Sequence, residues 1–183
     1  MDTGHQKESP VWEGFVFRYD NFMIKDSATL SCLRKKTIMK SKLINSTGQI
    51  TYVLIFDKGD EVAAGILSFA EEHNISAASF TAIGAFSDAL LGFFDFSSKD
   101  YKKIPMPGQT EVLALTGDIA QQDGKPKIHA HVVLGKPDGA AYGGHLLEAH
   151  VDPTLEVILI QSPAYLQRKT DKRTGLGLIT LPS

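Results

Sequence analysis

Cysteine is almost missing from this chain: Cys32 stands alone among 183 residues. A single thiol excludes an intrachain disulfide and any zinc cluster built on thiolates. Long apolar runs are missing too. None approaches the roughly 20 residues a bilayer-crossing helix needs, so no transmembrane span is expected. No basic segment followed by an apolar one opens the chain, so no secretory signal is read and the expected setting is cytoplasmic. Nor is there excess positive charge. The 19 basic residues face 21 acidic ones, net -2, which speaks against a strongly basic nucleic-acid binder. Glycine-rich nucleotide loops and the Gly-x-Ser-x-Gly elbow are absent, as are internal repeats. What is present is a globular composition, 43% hydrophobic and 22% charged, in a chain long enough to bury a core unaided.

The chain changes character near residue 39. Residues 1–38 hold the sole Trp (Trp12) and the sole Cys, and show no sustained periodicity beyond a short alternation at Phe15–Tyr19. They are expected to be a disordered or loosely docked extension. Met39 then opens a stretch that reads as an ordinary protein start, so residues 39–183 are expected to form one domain. Gln49–Asp57, rich in β-branched and aromatic residues, reads as a strand. Asp60 is a plausible N-cap, and Val62, Ile66, Phe69 and His73 fall at helical spacing up to the stop at Asn74. From there Ala78–Ile83, Ala89–Asp95, Glu111–Ala120, Lys127–Leu134 and Leu155–Gln161 read as strands. Gly84 marks a bend and Asp123-Gly124 a hairpin loop. Residues 163–180 are expected to add an irregular strand pair. The strands sit too close for βαβ crossovers. The expected fold is α+β: a mostly antiparallel sheet with one long helix after the first core strand.

Histidine is unevenly spread. Four of the six lie within residues 129–150, where an even spread would put fewer than one. His129 and His131 are two apart on an expected strand, so both imidazoles project from one face. A divalent metal needs such converging ligands. His145 follows two glycines, and the turn signal at Lys136-Pro137-Asp138-Gly139 lets the chain return beside the His129 strand. Three histidines with a fourth position open form a site suited to Lewis-acid chemistry or to capture of a small anionic ligand. The plain alternative is a polar stripe facing solvent. His150 is favoured as a non-ligand, His73 as a partner of its helix C-terminus, and His5 belongs to the tail. Glu148 is the acid to consider for proton transfer, although a structural carboxylate is the more common outcome. A cupin also carries His-x-His on a strand, but its expected Glu is missing from Val132–Lys136. The basic run Arg168–Arg173 reads as a solvated turn.

The stretch Gly124-Lys125-Pro126-Lys127-Ile128-His129-Ala130-His131-Val132 is followed by Asp138-Gly139, Gly143-Gly144-His145-Leu146 and Thr154-Leu155-Glu156-Val157. Together these resemble the PPC domain, conserved in plants and prokaryotes. Glu111–Gly117, Tyr52–Asn74 and the Gly84 segment extend the resemblance over about residues 45–180. The resemblance implies an α+β fold, a homotrimer, and a divalent metal, zinc, held by His129, His131 and His145. In plants the domain follows AT-hooks in nuclear DNA-associated proteins, and stand-alone prokaryotic members carry a DNA-binding label. No AT-hook occurs in this chain, and residues 39–183 are acidic, with 13 basic against 16 acidic residues. Two function classes follow. One is a metal-bearing module in DNA-associated regulation, binding DNA or a DNA-binding partner. The other is a metal-dependent enzyme or small-molecule sensor with an open three-His site.

Overall fold

The computed structural model describes residues 39–46, 48–162 and 166–180. The readings made for residues 1–38, with Trp12, Cys32 and His5, lie outside the described residues. Within them, nine strands and one helix follow in chain order: β1 (Lys40–Asn45), β2 (Thr51–Asp57), α1 (Val62–Glu72), β3 (Ala78–Asp95), β4 (Asp100–Met106), β5 (Thr110–Gln122), β6 (Lys125–Gly135), β7 (Ala141–Gln161), β8 (Gln167–Thr170) and β9 (Gly177–Thr180).

This corrects the α+β expectation. The fold is mostly β, with a mixed sheet and a single helix of 11 residues. Strand content was underestimated because residues 40–45, 100–106 and 141–154 read as connections. β4 is largely exposed and lacks alternation, and the first half of β7 opens on small residues that carry no strand pattern. The helix is shorter than expected at both ends. Glu61, not Asp60, caps it, accepting from the backbone N–H groups of Ala63 and Ala64. Asp60 instead accepts from the Asp57 N–H. Asn74, at φ 54°, ends the helix in the left-handed conformation that commonly stops one.

The sheet runs β1-β2-β7-β3-β5-β8-β9, with β4 on β3 and β6 between β5 and β7. Pairing is antiparallel except where Gln121 of β5 meets Gln167 of β8. The pairs β7–β3, β3–β5, β5–β6 and β6–β7 close a circuit. That closure needs long, bent strands, and β3 and β7 have 18 and 21 residues. The core inside is built from Leu54, Phe56, Phe86, Leu134, Leu155 and Leu159, all fully buried. Each such side chain contributes about 1.5–3 kcal/mol by leaving water. The helix closes one side with Val62, Ile66, Phe69 and Ala70. None of the described helices is long and apolar enough to cross a membrane.

Gly84 does not separate two strands, as its position suggested; it bends one continuous strand. The pairing slips on both sides of it, between Ala82 and Gly84 and between Gly84 and Phe86. Its φ is 152°, and a Cβ there would stand 2.3 Å from the Thr154 carbonyl oxygen and 2.8 Å from the Leu155 Cα. Both obstacles are backbone, so they cannot rotate away. Gly84→Ala is therefore expected to cost at least about 2 kcal/mol of folding stability. Urea denaturation measures it, and a midpoint equal to wild type would refute the close approach.

Candidate metal centre

The site begins with two turns. Asp123 and Gly124 both have positive φ, 52° and 76°, the geometry of a two-residue hairpin turn. That turn joins β5 to β6 and sets Gln122 opposite Lys125. Counting back along the pair puts Asp118 opposite His129 and Thr116 opposite His131. The second turn uses Lys136–Ala140, closed by a 2.8 Å hydrogen bond from the Lys136 N–H to the Ala140 carbonyl. It returns the chain so that His145 of β7 pairs directly with His131. Paired residues share a face, with Cβ atoms about 4.5–5.5 Å apart. Strand alternation adds His129 to that same face.

The three rings meet there. Their centroids lie 5.0 Å (His129–His131), 5.3 Å (His129–His145) and 5.5 Å (His131–His145) apart. One nitrogen from each falls within 4.8 Å of the others. The Nε2 atoms of His129 and His131 are 3.2 Å apart. Two imidazoles bound tetrahedrally at about 2.0–2.1 Å would hold their nitrogens roughly 3.3 Å apart. Without a metal, the same contact is an N–H···N hydrogen bond, one ring donating and the other accepting. The Nδ1 of His145 is buried and has no hydrogen-bond partner among the described residues. Burial, with the two neighbouring rings, lowers the pKa of His145 to about 4. Burial, then Arg168 and His131, also lowers that of His129, against the pull of Asp118. Both rings are thus held in the neutral form that ligates metal. The donor set fits a divalent ion of zinc type.

Three residues that sequence reasoning missed support the rings. Tyr101 of β4 stacks on His145, with centroids 4.8 Å apart and planes 28° apart. It reaches there because Gly92 has no side chain: a Cβ at Gly92 would lie 2.7 Å from the Tyr101 ring. Asp118 sets an oxygen 4.0 Å from the His129 Nδ1. Asp118 also forms a very close ion pair with Arg168. The Arg168 side chain is only 6% exposed, and it donates to the Gly177 carbonyl at 2.9 Å. Arg168 is therefore not part of a solvated basic turn. Nothing local in the sequence distinguishes it from Arg173; only the strand pairing does.

The other candidates go elsewhere. His150 bonds Asp88 at 3.0 Å, and the Glu148 carboxylate lies 3.9 Å from its other nitrogen. Neither His150 nor Glu148 belongs to the converging group. His73 caps α1, its Nδ1 3.1 Å from the Phe69 carbonyl and its ring stacked on Phe69.

A family model, the Plants and Prokaryotes Conserved domain, matches residues 44–163. The chain belongs to this family. Among solved structures, a plant- and prokaryote-conserved (PPC) protein of Pyrococcus horikoshii is 30% identical, at a TM-score of 0.68, with 80% of this chain and 97% of that one covered. A metal-containing protein of Archaeoglobus fulgidus is 35% identical, at a TM-score of 0.67, covering 79% of this chain and 99% of its own. A protein of Bacteroides thetaiotaomicron, described as a candidate DNA-binding protein, is 25% identical, at a TM-score of 0.73, covering 78% and 96%. No curated protein matches. The PPC match takes in the whole of the His129–His145 segment.

The pKa values of His150 and Asp88 are shifted in opposite directions. The hydrogen bond to Asp88 comes first in raising His150, helped by the charges of Asp88, Glu148 and Glu61. The same bond, then Ser87, lowers Asp88. The His150 contribution is fully present below its free pKa of about 6.5 and is lost as pH rises through the higher folded value. The Asp88 contribution is present above about 3.9 and is lost as pH falls through the lower folded value. Both groups are partly exposed, so the pair is worth no more than about 1 kcal/mol. NMR titration is expected to place the His150 midpoint above 6.5, and Asp88→Asn to bring it down. A midpoint unmoved by that substitution would show that the pair does not form in solution.

Proposed function

We propose that this PPC-family chain is a homotrimeric metal-binding module in which His129, His131 and His145 hold zinc, and that it serves DNA-associated regulation without an established reaction. The convergence of three imidazoles on one point carries this reading. The Archaeoglobus relative, named as metal-containing, supports the metal. Relatives from Bacteroides and Ralstonia described as candidate DNA-binding proteins support the regulatory setting. Trimer formation is supported by an apolar outer face. Ile83 is 60% exposed and Leu113 54% exposed, and together with Pro153 they line one groove. The acidic balance of residues 39–183 leaves little general attraction to phosphate, so any DNA contact runs through local groups or a partner protein.

A second reading, a metal-dependent enzyme or small-molecule sensor, is favoured by one observation. A cleft of about 320 Å³ opens beside His129 and His145. Structural zinc sites usually close with four protein ligands, whereas three ligands leave a position for water or another molecule.

Elemental analysis of the purified chain is expected to find about one zinc per subunit, lost in both His129→Ala and His145→Ala. Unchanged metal in both variants would remove the site. A gel-shift titration at two salt concentrations checks the DNA setting. Binding that strengthens as salt falls is expected, and no shift even at low salt would dismiss direct contact.

A further inference from the structure

We infer that the cleft beside the three histidines binds a small organic carboxylate, its charged end at the open metal position and its apolar body against the β8–β9 hairpin. This rests on the metal reading above and goes further, because it names the ligand class and the residues that select it.

Charge selects an anion. The chain is acidic overall, yet no carboxylate lines the cleft among the described residues. Two cations do, Lys127 and Arg168. Lys127 lies on the β6 face that carries His129 and His131, two positions before the first of them, by strand alternation. It is exposed and makes no ion pair among the described residues. Arg168 is buried, paired through one nitrogen to Asp118, and its Nε–H has no partner among the described residues. Asp118 offsets one of these charges. Lys127 and a divalent metal remain in excess.

Shape and donor chemistry then favour carboxylate over phosphate. Phosphate sites are built from several converging backbone N–H groups, at glycine-rich loops or helix N-termini. Here the walls come mainly from strands and include no glycine-rich loop or helix N-terminus. The cleft's polar lining is Tyr101, Gln122, Lys127, His129, His145 and Arg168. Its apolar lining includes Leu176 and Leu178. Leu178 is 45% exposed, apolar area that a bound hydrocarbon chain would cover. The volume, about 320 Å³, lies at the small end of the range for small-molecule sites, roughly 300–1,000 Å³.

The test uses full-length protein loaded with Co²⁺, whose visible spectrum reports a change of ligand at the fourth position. Acetate, butyrate and inorganic phosphate are titrated at constant ionic strength. Acetate and butyrate are expected to alter the spectrum saturably. Butyrate should bind more tightly, by about fourfold for each methylene that is buried, and phosphate should leave the spectrum unchanged. Lys127→Gln, on an exposed position, should keep cobalt stoichiometry and weaken butyrate about two- to fivefold. Leu178→Asn should erase the advantage of butyrate over acetate. Cobalt bound with no response to carboxylates, or a response to phosphate that equals that to butyrate, would overturn this inference and leave the metal reading standing. Equal butyrate affinity in Lys127→Gln would overturn it too. Failure to take up cobalt would overturn both.

Discussion

Strand register across β5, β6 and β7 is the constraint on which the rest depends. A shift of one residue in a ladder sends every side chain to the opposite face. With β6 displaced by one, Ala130 and Val132, both buried, would face outward, and the histidines would enter the core. Burying two imidazoles without partners while exposing two apolar groups costs several kcal/mol, so the core itself holds the histidines in place. The two turns fix the same register independently. Asp123-Gly124 supplies the paired positive φ values of a two-residue hairpin, and Gly139, at φ 82°, completes the return to β7. Turn chemistry and core pattern agree, and the site is their by-product.

Much of this was legible in the sequence, and what was not has a physical reason. The His-x-His pair, the DG turn and the Gly-Gly-His segment are local signals, and each depends on a period of two or on a residue that tolerates positive φ. The approach of His145 to His131 followed from a turn plus a return strand. The fold class was misread because strand signals assume a half-buried ribbon. β4 (Asp-Tyr-Lys-Lys-Ile-Pro-Met) pairs along one edge and is mostly exposed, so its pattern resembles a loop. The start of β7 has small residues for a different reason: a Cβ at Gly144 would press within 3.0 Å of the Gly92 carbonyl oxygen. Those glycines allow the strands to approach closely. Asp118, Tyr101 and Arg168 were invisible for a third reason. Each acts only through a neighbour distant in sequence, 11 residues for Asp118–His129 and 50 for Asp118–Arg168.

The electrostatics of the rings follow from the same packing. Three imidazoles so close cannot all carry charge, and partial burial removes the water that would screen them. His145 bears most of this, buried under Tyr101 and flanked by both partners. The consequence is a cluster of lone pairs ready for a cation, in a protein that has no thiolate to spare for the purpose. A chain with one cysteine, placed outside the described residues, has imidazole as its strongest available donor to a borderline-soft ion.

The Arg168–Asp118 pair shows what the C-terminal hairpin adds. Taking both charges out of water is costly, and replacing such a pair with apolar groups is often neutral or stabilising. Its worth therefore lies less in stability than in position. Asp118 lies 4.0 Å from the Nδ1 of His129, beyond hydrogen-bond reach, and acts on that ring through its charge. Left alone, Asp118 would also repel an incoming anion. Arg168 offsets that charge while holding the carboxylate in place. β8 thus does two things at once through Arg168: it anchors the carboxylate beside His129 and offsets the negative charge there. A hairpin present only to cover the sheet edge would need neither a buried guanidinium nor an aspartate beneath it.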